Sequence, residues 1–333
     1  MKKYDFGIRV EMGGKIGSGH FFRCLAIGEE LRKRGKTIIF LTSNKEKFND
    51  HYQGKNTHIL LKEKIEKNKI IECKKLMNKI KCLIIDLPKN EEKYGKELEK
   101  EKIIIINDIG KEKIFSNILI NGSIVKKFHK YQIKNKSTKL FLGSKYTIIR
   151  KEFVKIRKNV KIERKSIKNV LITFGGNDEK NMTIKILKFL LEKKLNITII
   201  LGPTNKKNKN ISNLIKNKTN NKIIINPKNI AKLFSNQDLV ISSTGITIYE
   251  LACLGIPTIM IPINSAQKES AKEMEKRGFG KIIDSNKLNL KKLEQTYLKF
   301  DDLDYRKKMF KSGRKIIDGK GVERIGKIME KII

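Results

Sequence analysis

The sequence predicts an α/β protein with two domains, each built from parallel strands and the helices that connect them. Short β-branched runs, such as Ile103–Ile106 and Ile223–Ile225, alternate with amphipathic stretches of helical period along the chain. A length of 333 residues exceeds what one hydrophobic core usually covers. A densely charged, nearly strand-free stretch, Lys151–Lys168, separates two series of strands. We therefore predict an N-terminal domain over residues 1–155 and a C-terminal domain over residues 156–333, whose last helix could cross back over the first domain.

The apolar runs place a series of strands in each half, with helices in the gaps. The clearest helix runs from His20 to Arg34 and ends at Gly35, which tolerates positive φ. The predicted strands are Phe6–Val10, Thr37–Leu41, His58–Leu61, Cys82–Asp86, Ile103–Ile106 and Ile118–Ile120 in the first half, and Asn169–Phe174, Ile197–Leu201, Ile223–Ile225, Leu239–Ser242, Thr258–Ile261 and Lys281–Ile283 in the second. The predicted helices of the second half are Asn181–Lys193, Asn210–Asn217, Asn229–Phe234, Thr247–Leu254 and Gln267–Arg277, followed by a helical tail from Leu290 to Ile333.

The formal net charge of +40 would by itself suggest nucleic acid or an anionic membrane surface as a partner. Most of the 75 basic residues are lysines, spread along the chain beside abundant Ile and Asn. Proteins that read nucleic acid favour Arg and interleave aromatic residues for base stacking. We therefore interpret the charge as a compositional bias on solvated helix faces and predict no nucleic-acid partner. Such a surface should still speed the capture of an anionic nucleotide.

Several classes of protein are not expected from this composition. No apolar run approaches the roughly 18 residues that span a bilayer, and the first residues lack the pattern of a signal peptide. We predict a cytoplasmic protein without a membrane span. The four cysteines are widely separated and form no C-x-x-C pair, and four histidines leave little material for a zinc site. We expect no disulfide, no metal and no cofactor; the sequence leaves the oligomeric state open, and we favour a monomer.

A glycine-rich turn, Gly13–His20, follows the first predicted strand and precedes the first long helix. Glycines such as Gly17 and Gly19 let backbone N–H groups approach a ligand, and a helix start favours phosphate or a developing oxyanion. His20, at the end of the turn, could take or give a proton near neutral pH. The alternative is a tight turn with a solvent-facing histidine. The spacing fits neither a Walker A loop nor a dinucleotide fingerprint.

The segment Thr173–Asp178 repeats this arrangement at the start of the second domain. Gly175, Gly176 and Asn177 could come close to a ligand there. The alternative is an ordinary strand-to-helix connection with Asp178 as the helix cap. Because open α/β sheets bind ligands at the carboxyl ends of their strands, we expect the glycine loops of the two domains to converge on one crevice.

A third candidate segment joins a strand to a helix through small hydroxyl residues. Ser243, Thr244 and Gly245 could present hydroxyl and N–H groups to a diphosphate. Glu250 lies one to two turns along the helix, and a carboxylate suits the two vicinal hydroxyls of a ribose. Gln267 lies in a polar segment after the next strand and could hold a sugar. Helix caps and exposed helix positions are the alternative interpretation of these residues.

Several of these motifs together resemble a known family. The string Ile16–Ala26 resembles a signature of the hydrolases of pseudaminic acid biosynthesis, which cleave UDP-2,4-diacetamido-2,4,6-trideoxy-β-L-altropyranose, and of the related spore coat polysaccharide proteins. The resemblance continues through Tyr146–Phe153, through Thr173–Asp178 with Asn181, and through Ser242–Gly255, so it covers nearly the whole chain. That family is similar in fold to the GT-B glycosyltransferases. The resemblance thus implies two Rossmann-like domains that face each other across a cleft.

The resemblance also implies a reaction and a set of residues. Water would displace UDP from C1 of the sugar with inversion and without a metal. His20 matches the catalytic histidine of the family, and Glu250 matches the acid that holds the nucleotide ribose. The residues that fall on the nucleotide-binding loops are Gly175, Gly176, Ser243, Thr244 and Gly245. The remaining members of the predicted substrate-binding set are Arg9, Gly17, Gly19, Asn177 and Gln267.

The sequence departs from the family pattern at three places on the sugar side. The Asp that often stands two residues after the first-strand arginine is replaced here, since Arg9 is followed by Val10 and Glu11. The polar pair that often follows the Asp at the end of the fourth strand is Leu87-Pro88, and a usual Asn-Gln pair is Ala266-Gln267. The nucleotide half of the predicted site is therefore kept, and the sugar half is altered.

We predict a hydrolase that cleaves the anomeric C–O bond of a UDP-linked diacetamido-trideoxy sugar and releases UDP and free sugar in nonulosonic, pseudaminic-type acid biosynthesis. A glycosyltransferase that passes the sugar of the same donor to a hydroxyl acceptor is the main alternative. A non-catalytic protein that binds nucleotide sugars or polyanions is the alternative from another class. The position of His20 beside the glycine-rich turn favours an enzyme.

Overall fold

A computed structural model describes residues 3–12, 19–43, 57–175, 178, 180–202, 208–216, 218–227 and 229–333. The chain forms two compact units. The first contains Met1–Arg150 and Gly319–Ile333, and the second contains Lys151–Asp318. The sequence placed the division after residue 155, and the structure places it at residue 150, with the last fifteen residues in the first unit.

The first unit contains a large sheet with helices on its faces and a small two-stranded sheet. Its strands are β1 (Tyr4–Val10), β2 (Ile38–Thr42), β3 (Thr57–Leu60), β4 (Ile80–Asp86), β5 (Ile103–Ile106), β6 (Lys113–Ile114), β7 (Ile118–Asn121), β8 (Gln132–Ile133) and β9 (Lys139–Leu142). Its first helices are α1 (Gly19–Lys33), α2 (Glu66–Leu76) and α3 (Glu91–Glu97), and short 3₁₀ turns lie at Lys126–His129 and Ser144–Tyr146.

The second unit repeats the alternation of strands and helices. Its strands are β10 (Asn169–Thr173), β11 (Asn196–Leu201), β12 (Lys222–Ile225), β13 (Leu239–Ser242), β14 (Thr258–Met260) and β15 (Lys281–Ile282). Its helices are α4 (Lys151–Arg157), α5 (Met182–Leu190), α6 (Asn208–Ile215), α7 (Ile230–Ser235), α8 (Ile246–Leu254), α9 (Ser265–Lys276), α10 (Leu290–Asp301) and α11 (Leu303–Ile316). The last helix, α12 (Gly321–Glu330), belongs to the first unit.

Each unit has a parallel sheet, with seven described strands in the first unit and six in the second, and the order around the first strand of each sheet is the same. The strand order is β3-β2-β1-β4-β5-β7-β9 in the first unit and β12-β11-β10-β13-β14-β15 in the second. In both sheets the order reverses beside the first strand, between β1 and β4 and between β10 and β13. Open α/β sheets bind ligands at such a switch point, outside the carboxyl ends of the strands. The register puts Val10 beside Asp86 in one sheet and Thr173 beside Ser242 in the other.

The apolar runs predict these sheets because both faces of a parallel sheet are covered by helices. Strand β5 illustrates this, since all four isoleucines are buried. Ile104 and Ile106 lie in the cluster that contains α1, whereas Ile103 and Ile105 lie in the opposite cluster with α2 and α3. A strand buried on both faces is apolar at every position, and this pattern is visible in the sequence.

The predicted strands of both halves are confirmed to within one or two residues at their ends. The sequence analysis missed β6, β8 and β9. Strands β6 and β8 have only two residues each, and β9, Lys139–Leu142, lies at the edge of its sheet without a buried residue. The helical tail consists of three helices, α10, α11 and α12. Within the described part of the chain, no helix is long and apolar enough to cross a bilayer.

Helix α12 packs against α1, the helix that carries His20. Ile325 and Met329 of α12 lie in the same buried cluster as Phe21 and Cys24 of α1. Arg34, which follows α1, binds Glu330 at 2.6 Å. The end of the chain therefore supports the helix on which the candidate site is built.

We expect Gly321→Ala to lower the free energy of unfolding by about 1–3 kcal/mol or more, as in other overpacked sites. A Cβ at Gly321 would lie 2.0 Å from the carbonyl oxygen of Thr147, so the start of α12 must move. Denaturant unfolding measures the change. Gly326→Ala in the same helix is the control, because its new Cβ would meet the side chains of Arg34 and Glu30, which can shift. An equal loss of stability in both variants would contradict the steric conflict between a Cβ at Gly321 and the Thr147 carbonyl.

Candidate active site

His20 lies in the first turn of α1 and contacts a carboxylate from the neighbouring strand. Its Nδ1 lies 2.6 Å from Oδ1 of Asp86, although the two residues are 66 positions apart in the sequence. Asp86 ends β4, beside β1, so the contact lies at the switch point of the first sheet. Gly19 is the first residue of α1. Residues 13–18, which include the candidate Gly17, lie outside the described residues.

Asp86 is fully buried and accepts hydrogen bonds from several donors. The guanidinium of Arg23 binds it in a fork, with Nε 2.5 Å from Oδ2 and Nη2 2.5 Å from Oδ1. The thiol of Cys24 lies 3.2 Å from Oδ2. Burial by itself raises the pKa of Asp86, but the charge and hydrogen bonds of Arg23, with the hydrogen bond from His20, hold this pKa well below its usual range. Asp86 is therefore ionised.

An ionised Asp86 fixes the tautomer and orientation of the His20 ring. A charged acceptor at 2.6 Å assigns the ring proton to Nδ1, which donates it to the carboxylate. In the neutral ring the lone pair then lies on Nε2. The side chain of His20 keeps 21% of its surface exposed, whereas that of Asp86 has none. This arrangement of a buried acid and a partly exposed imidazole suits a general base.

Arg23 connects this pair to a second carboxylate on the loop after β5. Its Nη1 lies 2.6 Å and 2.7 Å from the two carboxylate oxygens of Asp108, whose side chain is about half exposed. The side chain of Arg23 is nearly buried. Burial by itself lowers the pKa of Arg23, but the charges and hydrogen bonds of Asp108 and Asp86 raise it well above the usual value. Arg23 is therefore a fixed cation between two carboxylates.

A buried polar network holds the loop that carries Asp108. The side-chain oxygen of Asn107 accepts hydrogen bonds from the backbone N–H groups of Ile109 and Gly110 and from the Tyr131 hydroxyl. The amide nitrogen of Asn107 lies 2.5 Å from Glu91. Burial raises the pKa of Glu91 well above its usual value. The position of Asp108 is thus set by the packed interior of the first unit.

Arg9 has a different environment from the one predicted. Its side chain is fully buried, with Nε 3.0 Å from the Tyr94 hydroxyl and Nη1 2.7 Å from Glu11. Side chains alternate along a strand, and the neighbouring Val10 lies in the cluster with α1. Arg9 therefore points to the opposite face of the sheet, where Tyr94 of α3 lies. This placement favours a structural role for Arg9 in place of the predicted contact with substrate.

In the second unit, two of the predicted loops lie side by side at the switch point of the sheet. The N–H of Ser243, after β13, donates to the carbonyl of Thr173 at the end of β10 at 3.3 Å. Gly175 follows β10 with φ +75°, a conformation that favours glycine, and an added Cβ there would meet no described atom within 4 Å. Gly176 and Asn177 lie outside the described residues. Asp178 caps α5 by accepting from the N–H groups of its first residues.

The start of α8 presents backbone N–H groups next to these loops. Gly245 is the N-cap residue of the helix and makes no side-chain cap hydrogen bond. The first N–H groups of an uncapped helix form a favourable environment for an anion. Ser243 and Thr244, just before it, are nearly buried. Their placement allows the predicted contact with a diphosphate, which stays a prediction.

Gln267 links this loop to the start of α9. Its Oε1 accepts from the N–H of Thr244 at 3.2 Å and from the N–H of Ile263 at 3.1 Å, and the Thr244 hydroxyl donates to its backbone carbonyl at 2.9 Å. Gln267 therefore braces the loop that precedes α8, in addition to any contact with a sugar. Glu250, in the second turn of α8, is 2% exposed, so the alternative of an exposed surface glutamate is wrong. Its role at the ribose stays a prediction.

Three residues of the first site were not identified from the sequence: Arg23, Asp86 and Asp108. Asp86 ends an apolar run, and Arg23 lies three residues after His20 on the same helix face. Both positions are visible in the sequence, but neither one indicates which residue the side chain contacts. Among the described residues, no group of three or more His, Cys, Asp or Glu side chains is placed to hold a metal ion.

Comparison with protein families gives a match over much of the second unit. Residues 156–316 match the glycosyltransferase family 28 C-terminal domain. The chain is 35% identical over 279 residues to an uncharacterised protein of Methanocaldococcus jannaschii, a match that covers 77% of the chain and 55% of that protein. It thus spans about half the length of this relative. It is 23% identical to the spore coat polysaccharide biosynthesis protein SpsG of Bacillus subtilis, with 97% of both chains covered.

A further relative and a solved structure complete the comparison. The UDP-2,4-diacetamido-2,4,6-trideoxy-beta-L-altropyranose hydrolase of Campylobacter jejuni is 26% identical over 210 residues, which cover 60% of the chain and 73% of the hydrolase. The crystal structure of Acinetobacter baumannii MurG superposes with a TM-score of 0.69 at 16% identity and covers 98% of the chain and 99% of MurG. The chain therefore resembles the altropyranose hydrolases and the spore coat polysaccharide biosynthesis protein, as the sequence predicts, and it has a GT-B-like α/β fold of two Rossmann-like regions.

Proposed function

We propose that this protein hydrolyses the anomeric C–O bond of a UDP-linked diacetamido-trideoxy sugar and releases UDP and the free sugar for pseudaminic-type acid biosynthesis. The observation that carries the proposal is the His20–Asp86 pair at the switch point of the first sheet. The resemblance to the Campylobacter jejuni hydrolase supports the choice of substrate. The match to SpsG over nearly the whole chain supports a role in surface polysaccharide synthesis.

In the proposed reaction, water is the nucleophile and His20 is the base. A water proton moves to Nε2 of His20 while the water oxygen bonds to C1 of the sugar. The bond between C1 and the diphosphate oxygen breaks, and its electron pair leaves with UDP. Asp86 stabilises the imidazolium that forms, because its carboxylate already accepts the Nδ1 proton. The imidazolium then returns its proton to solvent.

The nucleotide is proposed to bind to the second unit. The N–H groups at the start of α8 and the loop of Gly175 would bind the diphosphate, and Glu250 would accept from the ribose hydroxyls. Fixed dipoles of this kind stabilise the charge that develops on a departing diphosphate. In this scheme no metal takes part, and water attacks from the face opposite to UDP, so the configuration at C1 is inverted.

We expect hydrolysis in ¹⁸O-labelled water, without acceptor, to release UDP and to place the label on C1 of the free sugar. The substrate is UDP-2,4-diacetamido-2,4,6-trideoxy-β-L-altropyranose, with UDP-GlcNAc as the comparison substrate. Mass spectrometry locates the label, NMR of the first product identifies its anomer, and EDTA should leave the rate unchanged. Label in UDP would mean that a P–O bond breaks, and would contradict the proposed mechanism.

A glycosyltransferase that uses the same donor is the second candidate. The match of residues 156–316 to the glycosyltransferase family 28 C-terminal domain favours it. The same experiment separates the two, because a transferase releases UDP slowly until a hydroxyl acceptor is added. A rate that rises in proportion to an added sugar acceptor would support the transferase.

A further inference from the structure

We propose that Arg23 and Asp108 are positioning residues that keep His20 oriented and neutral, so that its ring can accept a proton from water. The inference rests on the proposed function, since it assigns the groups that prepare the proposed base. Neither residue is expected to contact the reacting atoms.

In this geometry one carboxylate oxygen accepts hydrogen bonds from both His20 and Arg23. Oδ1 of Asp86 accepts from Nδ1 of His20 at 2.6 Å and from Nη2 of Arg23 at 2.5 Å. The two nitrogens are themselves 3.0 Å apart. The ring therefore shares its partner with a guanidinium that also holds the other oxygen of Asp86. Loss of Arg23 would free the carboxylate to rotate and to interact with the ring alone.

The charges around the ring have opposite effects on its protonation. The described groups that contact it are Asp86 from β4 and Arg23 from α1; Cys24 reaches it only through Asp86, and Asp108, on the loop after β5, only through Arg23. The carboxylate of Asp86 favours the imidazolium, and the cation of Arg23 opposes it. Burial raises the pKa of the Cys24 thiol well above its usual value, so this group stays uncharged.

The carboxylate of Asp108 weakens the effect of the Arg23 charge on His20. Both of its oxygens lie within 2.7 Å of Nη1, whereas Asp86 binds Nε and Nη2. The negative charge of Asp108 balances part of the Arg23 charge and holds the guanidinium in the plane that Asp86 needs. Because Asp108 is about half exposed, its charge is partly screened by water.

The opposite charges of Arg23 and Asp108 predict opposite changes in the protonation of His20 when either residue is replaced. In Arg23→Gln, the fraction of protonated His20 at a given pH should rise, since the opposing cation is gone. In Asp108→Asn it should fall by a smaller amount. ¹⁵N NMR of histidine-labelled protein measures the tautomer and the protonation of the ring without substrate. A His20→Gln spectrum assigns the signal among the four histidines.

The kcat of each variant should follow the protonation of the His20 ring. The acid limb of the kcat profile should move to higher pH in Arg23→Gln and to lower pH in Asp108→Asn, with KM for the UDP-sugar nearly constant. Arg23→Lys keeps the cation but loses the fork, so it should lower kcat while the protonated fraction stays close to that of the wild type. This variant also tests the proposal if Arg23→Gln fails to fold.

Two results would overturn the proposal. One is an unchanged His20 spectrum in both Arg23→Gln and Asp108→Asn, or a change of the same sign in both. The other is an Arg23→Lys enzyme with the kcat of the wild type. Because the NMR readout needs no turnover, a wild type that hydrolyses no UDP-sugar would contradict the proposed function alone.

Discussion

The His20→Gln enzyme should release UDP with a kcat about 10²–10⁴ times lower than that of the wild type, the range that a positioned general base usually contributes. The amide of Gln can fill part of the space of the ring but cannot take a proton from water. KM should change little, because the nucleotide is proposed to bind to the second unit. Steady-state release of UDP from the diacetamido sugar measures both constants.

His58→Gln provides the matched control. His58 lies in the edge strand β3, two strands away from β1 in the sheet. The substitution changes the same side chain in the same unit at a distance from the switch point. It should leave kcat close to that of the wild type. A His20→Gln enzyme as active as His58→Gln would remove His20 from the mechanism.

The fold could be predicted from the sequence because parallel sheets leave a strong signal. Strands such as β5 are buried on both faces and are apolar at every position, so their boundaries are visible without knowledge of their neighbours. The edge strand β9 lacks this signal, since it has no buried residue, and it was missed. Local burial therefore decides which strands the sequence reveals.

The candidate site could be predicted only in part, because its contacts join distant residues. Arg23 and Asp86 are 63 positions apart, and Arg23 and Asp108 are 85 apart. Their meeting depends on the pairing of β1 with β4, which the composition of neither strand specifies. Arg9, which matches the first-strand arginine of the family, illustrates the same limit, because the alternation along the strand directs it to the face away from α1, where it contacts Tyr94.

The second large effect is expected for Asp86→Asn, which should lower the free energy of unfolding by about 3–5 kcal/mol, the usual loss when one partner of a buried ion pair is removed. The substitution keeps the shape of the side chain but leaves the Arg23 cation without its fork. It also removes the charge that fixes the His20 tautomer, so kcat should fall together with stability. Urea unfolding and steady-state kinetics measure the two effects.

The double variant Asp86→Asn/Arg23→Gln separates stability from catalysis. With both charges removed, no buried ion is left unpaired, so most of the lost stability should return. The activity should not return, because no carboxylate then faces Nδ1 of His20. A double variant as unstable as Asp86→Asn alone would contradict the ion pair as the source of the loss.

The ion pair of Asp86 with Arg23 also predicts how the stability of the wild type depends on pH. The folded protein holds the pKa of Asp86 below the value of about 4 that an unfolded aspartate has. The unfolded chain therefore binds the proton first as the pH falls, and the stabilisation by Asp86, complete above about pH 5, is lost progressively in more acidic solution. Asp86→Asn has no such group, so its stability should fall less steeply than that of the wild type over this acid range. Parallel acid-unfolding curves of equal slope would show that the charge of Asp86 does not stabilise the fold.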